Sequence, residues 1–119
     1  MSKKTIMIAD NDPGIVDVLT LMFEDAGYEV ETTDDGQTVK DIKEHLPDLI
    51  LLDIWMAGFD GREICKYLKS QKLTKHIPLI MISANKDTEE IAKEAGADTF
   101  IAKPFEMNEL LAMVDKYIG

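Results

Sequence analysis

The sequence predicts an α/β protein with a doubly wound, five-stranded parallel sheet in the order 2-1-3-4-5. Three observations carry that prediction. Short aliphatic or β-branched runs recur at 5–9, 28–32, 48–52, 79–83 and 99–102, and a segment of helical period follows each one. The third run, Leu49, Ile50, Leu51 and Leu52, is apolar at consecutive positions, as a strand covered on both faces requires. No linker or low-complexity stretch separates the five βα units. Parallel neighbours need right-handed crossovers, which place helices on both faces of the sheet.

Each helix carries its own local signals. In the first, Asp12 is the expected N-cap and Pro13 the first residue, and Ile15, Leu19, Met22, Phe23 and Ala26 form one stripe before Gly27 stops it. The second and third helices are expected over 37–46 and 61–69. Asp87 with Glu90 three residues later reads as a capping box for the fourth, which ends at Gly96. Its apolar stripe is thin, Ile91, Ala92 and Ala95, which suits a moving part. Met107, Leu110, Leu111, Val114 and Ile118 make the buried face of the last helix.

At 119 residues the chain is expected to form one domain, 1–119, with a real core. Thirteen basic side chains against 23 acidic ones leave a formal charge of −10, which argues against a surface made for nucleic acid or anionic lipid. No apolar run approaches the roughly 20 residues of a membrane helix, and a cytoplasmic protein is expected. Cys65 is alone, so no internal disulfide forms and the residue reads as a small apolar side chain on a helix. His45 and His76 read as surface residues.

In such a sheet, ligands bind beyond the carboxyl ends of the strands, where the winding reverses between the first and third. The first strand delivers Asp10, Asn11 and Asp12 there; the third delivers Asp53, the fourth Ser83, and the fifth Lys103 followed by Pro104. Converging carboxylates repel unless a cation lies among them. An all-oxygen cluster of this kind suits Mg²⁺, which takes one or two carboxylates and keeps several waters. With a carboxylate nucleophile, a hydroxyl and an ammonium, the parts for phosphoryl transfer to an aspartate are present. Each residue has a plainer role open to it: Asp53 as a turn or cap acid, Asp12 foremost as an N-cap, Asn11 as a turn former, Ser83 as a buried hydroxyl, and Trp55 as a half-exposed turn aromatic.

The segments ADNDP, LLDIWMAGFDG, ISA and GADTFIAKPF, in this order and spacing, resemble the receiver domain of two-component response regulators, from Lys4 to the last residue, in the manner of a chemotaxis-regulator-like, stand-alone receiver with a flavodoxin-like (βα)5 fold. The resemblance implies that Asp53 accepts a phosphoryl group from a histidine kinase or histidine phosphotransfer protein. It implies Mg²⁺ held by Asp10, Asp53 and the backbone carbonyl of Trp55, with Asn11 or Asp12 as a further donor. Ser83 and Lys103 then contact the phosphoryl oxygens, Lys103 being placed by a cis bond to Pro104, and Ser83 with Phe100 forms the switch. The helix 4, strand 5 and helix 5 face would change its presentation to a downstream protein as a population shift.

Three departures qualify the resemblance. Asn11 stands where the family usually has a second acid, which predicts weaker metal binding. Ala57 replaces a common proline and leaves the loop after Asp53 less restricted. Phe100 lacks a tyrosine's hydroxyl. A pseudo-receiver, acting as a docking module without phosphorylation, is therefore the alternative function. An aspartyl phosphohydrolase would want a second acid at the position of Trp55. A flavin mononucleotide carrier would not place ADNDPG in its phosphate loop. The expected protein is a signalling module that promotes its own phosphorylation and dephosphorylation rather than a conventional enzyme. It is expected to be a monomer or weak phosphorylation-dependent dimer, with no output domain after the fifth helix and no direct contact with nucleic acid or membrane.

Overall fold

The computed structural model describes residues 3–56, 58–84 and 88–119. Its elements in chain order are β1 (Thr5–Ala9), α1 (Pro13–Asp25), β2 (Glu29–Thr33), α2 (Gly36–Lys40), β3 (Leu49–Asp53), β4 (Trp55–Met56), β5 (Phe59–Asp60), α3 (Gly61–Ser70), β6 (Leu79–Ser83), α4 (Thr88–Ala95), β7 (Thr99–Ala102) and α5 (Met107–Ile118). The main sheet runs β2-β1-β3-β6-β7 with every pairing parallel. Once the β4–β5 hairpin is set aside, that is the order 2-1-3-4-5 expected from the sequence.

Alternation along the strands divides the core in two. Met7, Ala9, Ile50, Leu52, Leu79 and Met81 point to one face and pack with Val39 of α2, Ile64, Cys65 and Leu68 of α3, and Ala92 and Ala95 of α4. Ile6, Ile8, Leu49, Leu51, Ile80, Ile82 and Ile101 point to the other and pack with Leu19 and Phe23 of α1 and with Leu110, Val114 and Ile118 of α5. All five residues of β3 are buried. This is the physical meaning of the consecutive aliphatics: a central strand has two covered faces and no polar side. Cys65 is fully buried, and burial pushes its thiol up to about 11.

Several boundaries move from their expected places. β2 and β3 each begin and end one residue later, so Asp53 is the last residue of its strand rather than the first beyond it. Asp12 caps α1 as expected, but Ala26 is an exposed C-cap residue rather than part of the buried stripe. Gly27, at φ 99°, then makes the turn. The helix expected over 37–46 stops at Lys40. Asp41 closes it with backbone bonds to Gln37 and Val39, and His45 takes a left-handed φ of 52°. Pro47 also bars its predecessor from helical geometry. Ile42 and Leu46 still pack against the core, so the apolar spacing served burial without a continuous helix. Asp87 and Ala57 lie outside the described residues. Where the sequence signals only a turn after Asp53, Trp55–Met56 and Phe59–Asp60 pair as a short antiparallel hairpin.

Candidate functional site

The sheet brings the ends of β1, β3 and β7 together around one ammonium. Lys103 Nζ lies 3.3 Å from Asp10 Oδ2 and 3.6 Å from Asp53 Oδ2. Asp10 and Asp53 are 2% and 6% exposed, an expensive setting for two carboxylates. Backbone groups hold both. Asp10 Oδ1 accepts from the Asp12 N–H at 2.9 Å, and Asp53 Oδ1 accepts from the Trp55 N–H at 3.2 Å. Burial, and then the neighbouring charge of Asp10, push the Asp53 carboxyl from its ordinary 3.8 up to about 6, against the pull of Lys103 and the Trp55 N–H.

The supporting backbone is continuous with the sheet. Ile54 N–H donates to Ile82 O at 2.9 Å, and Lys103 N–H donates to Ser83 O at 2.8 Å, extending the ladders past the last strand residues. The Lys103–Pro104 bond is cis. Ser83 is buried beside Ala102 in the β6–β7 register. Phe100 is half-buried on the α3–α4 side while Ile101 faces the other core. Alternation along β7 thus puts Phe100 on the face that α4 covers.

Not every candidate enters the site in the same way. The Asp12 carboxylate accepts from Gly14 N–H at 3.1 Å and Ile15 N–H at 3.4 Å, so it is engaged as a cap. Asn11 is exposed and lines, with Asp10, Asp17, Thr33 and Asp34, an adjoining cleft of about 480 Å³. Trp55 is 48% exposed and begins the hairpin, opposite Asp60. His45 and His76 are exposed.

Two buried carboxylates whose charges oppose one another, with Asp10 also lining the adjoining cleft, fit a small hard cation. Among the described residues, no group of three or more His, Cys, Asp or Glu side chains is placed to hold a metal ion.

Two residues that shape this site had no role assigned from sequence. A Cβ on Gly61 would stand 2.6 Å from the Asp53 carbonyl oxygen and 2.6 Å from Ile54 Cα, and the Gly61 N–H donates to Ile54 O at 2.7 Å. Only a glycine lets the start of α3 press on the backbone that carries Asp53. Arg62 grips the Asp60 carboxylate through Nε and a terminal nitrogen, at 3.0 and 2.7 Å, and stacks 4.9 Å from the Trp55 ring centre. The Asp-Gly pair at 60–61 was the available signal; it was visible only as a helix start.

The family model for the response regulator receiver domain matches residues 6–115, and the chain belongs to that family. PhoP, the alkaline phosphatase synthesis transcriptional regulatory protein of Bacillus subtilis, is 40% identical over 118 residues, covering 96% of this chain and 48% of its own. The DNA-binding response regulator MtrA of Mycolicibacterium smegmatis is 32% identical over 115 residues, covering 94% and 49%. The chain thus spans about half the length of these relatives. Among solved structures, the receiver domain of a sensor histidine kinase from Pseudomonas aeruginosa PAO1, with a magnesium ion coordinated in its active-site cleft, matches with a TM-score of 0.88 at 27% identity over 99% of both chains. No helix among the described residues is long and apolar enough to cross a membrane.

Proposed function

We propose that residues 1–119 act as one phosphoacceptor unit in which Asp53 takes a phosphoryl group from a histidine kinase or histidine phosphotransfer protein. The observation that carries this reading is the Lys103 ammonium placed against both Asp10 and Asp53. A carboxylate oxygen of Asp53 bonds to phosphorus as the bond to the donor's imidazole nitrogen breaks, and the imidazole leaves neutral after taking a proton. Asp10, Asp53 and the Trp55 carbonyl would hold Mg²⁺, which supplies neutralisation of the phosphoryl oxygens when bound. Lys103 pairs with a phosphoryl oxygen, and Ser83 donates to another. Drawing Ser83 inward frees space for Phe100 to turn, and the face of α4, β7 and α5 then presents differently to a downstream protein. With a charge of −10, this unit makes its own contacts with proteins rather than with nucleic acid or anionic membrane.

One specific observation favours the pseudo-receiver alternative: the Asp12 carboxylate is taken up by the α1 cap, leaving Asn11 to replace the family's second acid. Intact mass after incubation with Mg²⁺ and acetyl phosphate separates the two. One added phosphoryl group in the parent and none in Asp53→Asn is the expected result; an unmodified parent would establish the docking module instead.

A further inference from the structure

From position 64 to position 85 the chain has no Asp or Glu, yet lysines stand at 66, 69, 72 and 75. In a protein of charge −10, this is a local reversal of sign. Lysines near a helix C-terminus have an ordinary use, pairing with its free carbonyls and dipole, and Lys69 has a structural role of that general kind. Its ammonium donates to Ile77 O at 2.8 Å and Lys75 O at 3.3 Å and pairs with Asp98 at 2.7 Å, which fastens the turn after α3. The others are not so engaged. Lys66 has only a loose 3.9 Å approach to Glu63, and no carboxylate pairs with Lys72 or Lys75 among the described residues.

Large apolar side chains stand among these charges. Tyr67 is 41% exposed and Leu73 is 45% exposed, and Lys40 places its ammonium 5.0 Å above the Tyr67 ring, carrying the positive surface onto α2. The backbone beneath is tightly tied. Ser70 Oγ donates to Tyr67 O, and Thr74 Oγ1 donates to Leu68 O, each at 2.7 Å, while Lys75 N–H donates to Gln71 O at 2.8 Å. Ordering this surface for a partner therefore costs little.

We infer that the C-terminal end of α3 and the turn after it, with Lys66, Tyr67, Lys72, Leu73 and Lys75, form a docking platform for an acidic protein segment bearing large apolar side chains. Charge complementarity selects the acid, and Tyr67 and Leu73 select the apolar partners. A nucleic acid suits it poorly: the platform holds no arginine for bidentate phosphate contact. α3 runs back along the sheet from the Asp53 end, so its C-terminus lies at the opposite end. A partner held there leaves Asp53 open to its phosphodonor.

The test titrates the full chain with a short fluorescein-labelled peptide of glutamates and interspersed leucines, followed by anisotropy. Binding should weaken about tenfold or more in the exposed-site variant Lys66→Glu/Lys72→Glu/Lys75→Glu and with added salt. It should weaken several-fold in Tyr67→Ser/Leu73→Ser, or when the peptide leucines become serines. Unchanged thermal unfolding of both variants keeps the comparison fair. The inference is overturned if the parent does not bind the peptide, if the charge-reversed variant binds it equally, if the leucines make no difference, or if duplex DNA displaces the peptide at lower concentration.

Discussion

Asp53 sits where a carboxylate is least comfortable, and the discomfort has a measurable sign. Its folded pKa of about 6 lies above the ordinary 3.8, so the folded state binds this proton more tightly than the unfolded chain does. The stabilisation from that proton is present at low pH and is lost as pH rises between about 4 and about 6. In metal-free buffer at pH 8, Asp53→Asn should therefore be more stable than the parent by about 1–3 kcal/mol, and the gain should vanish near pH 4. Urea unfolding at the two pH values checks this. Added Mg²⁺ should stabilise the parent at pH 8 and the variant much less; equal stabilisation of both would remove Asp53 from the metal site. The residues of this site were legible because each stands at, or directly beyond, the end of a strand, so the sheet order alone predicts that they converge. So was the division of labour between Asp10 and Asp12: an acid directly before Pro13 reads first as a helix cap, and the geometry turns Asp12 to the helix and Asp10 to Lys103. The role of Gly61 was not, because the close approach of α3 to the backbone of Asp53 and Ile54 leaves no mark in the sequence.

At the level of elements, the start of α3 acts as a stop behind Asp53. Gly61→Ala would bring a methyl against backbone on the Asp53–Ile54 side, where neither the central strand nor the helix can yield cheaply. A loss of about 2–3 kcal/mol is expected, together with weaker Mg²⁺ binding followed by Trp55 fluorescence. A loss of stability with metal affinity intact would mean that α3 supports the fold without positioning the site. The strands of the main sheet were readable within one residue, because their β-branched and aliphatic runs are short and bounded by turn residues; in β3 and β6 burial on both faces makes the run unbroken, whereas β2 stays largely exposed. α2 was not: Val39, Ile42 and Leu46 have helical spacing and do reach the core, but a partly irregular path delivers them, and apolar spacing cannot tell the two apart. The Trp55–Asp60 hairpin left no period at all. Two short strands that pair only with each other have too few residues to establish one.

Across the whole molecule, charge is distributed as unevenly as the two cores are evenly. The stretch 10–48 has twelve carboxylates and two lysines. Among the described residues, only Asp10 of that stretch pairs with a cationic side chain. Apart from Lys103 with Asp53, the other ion pairs tie α3, α4 and the loops around them, so attraction and repulsion occupy different parts of the fold. Repulsion that no pair offsets is what salt screens best, whereas a nearly buried contact such as Lys103 with Asp10 is screened little. Raising NaCl from low to about half molar should therefore stabilise the protein, by on the order of 1 kcal/mol, as read from denaturation midpoints at constant pH. A fall in stability would mean that the surface pairs of α3 and α4 outweigh the acidic stretch. The same titration on Asp53→Asn separates this general effect from the site. The NaCl response should be nearly the same in both proteins, because it comes from the diffuse charge of 10–48, while the Mg²⁺ response should differ if Asp10 and Asp53, at the ends of β1 and β3, hold the ion as proposed.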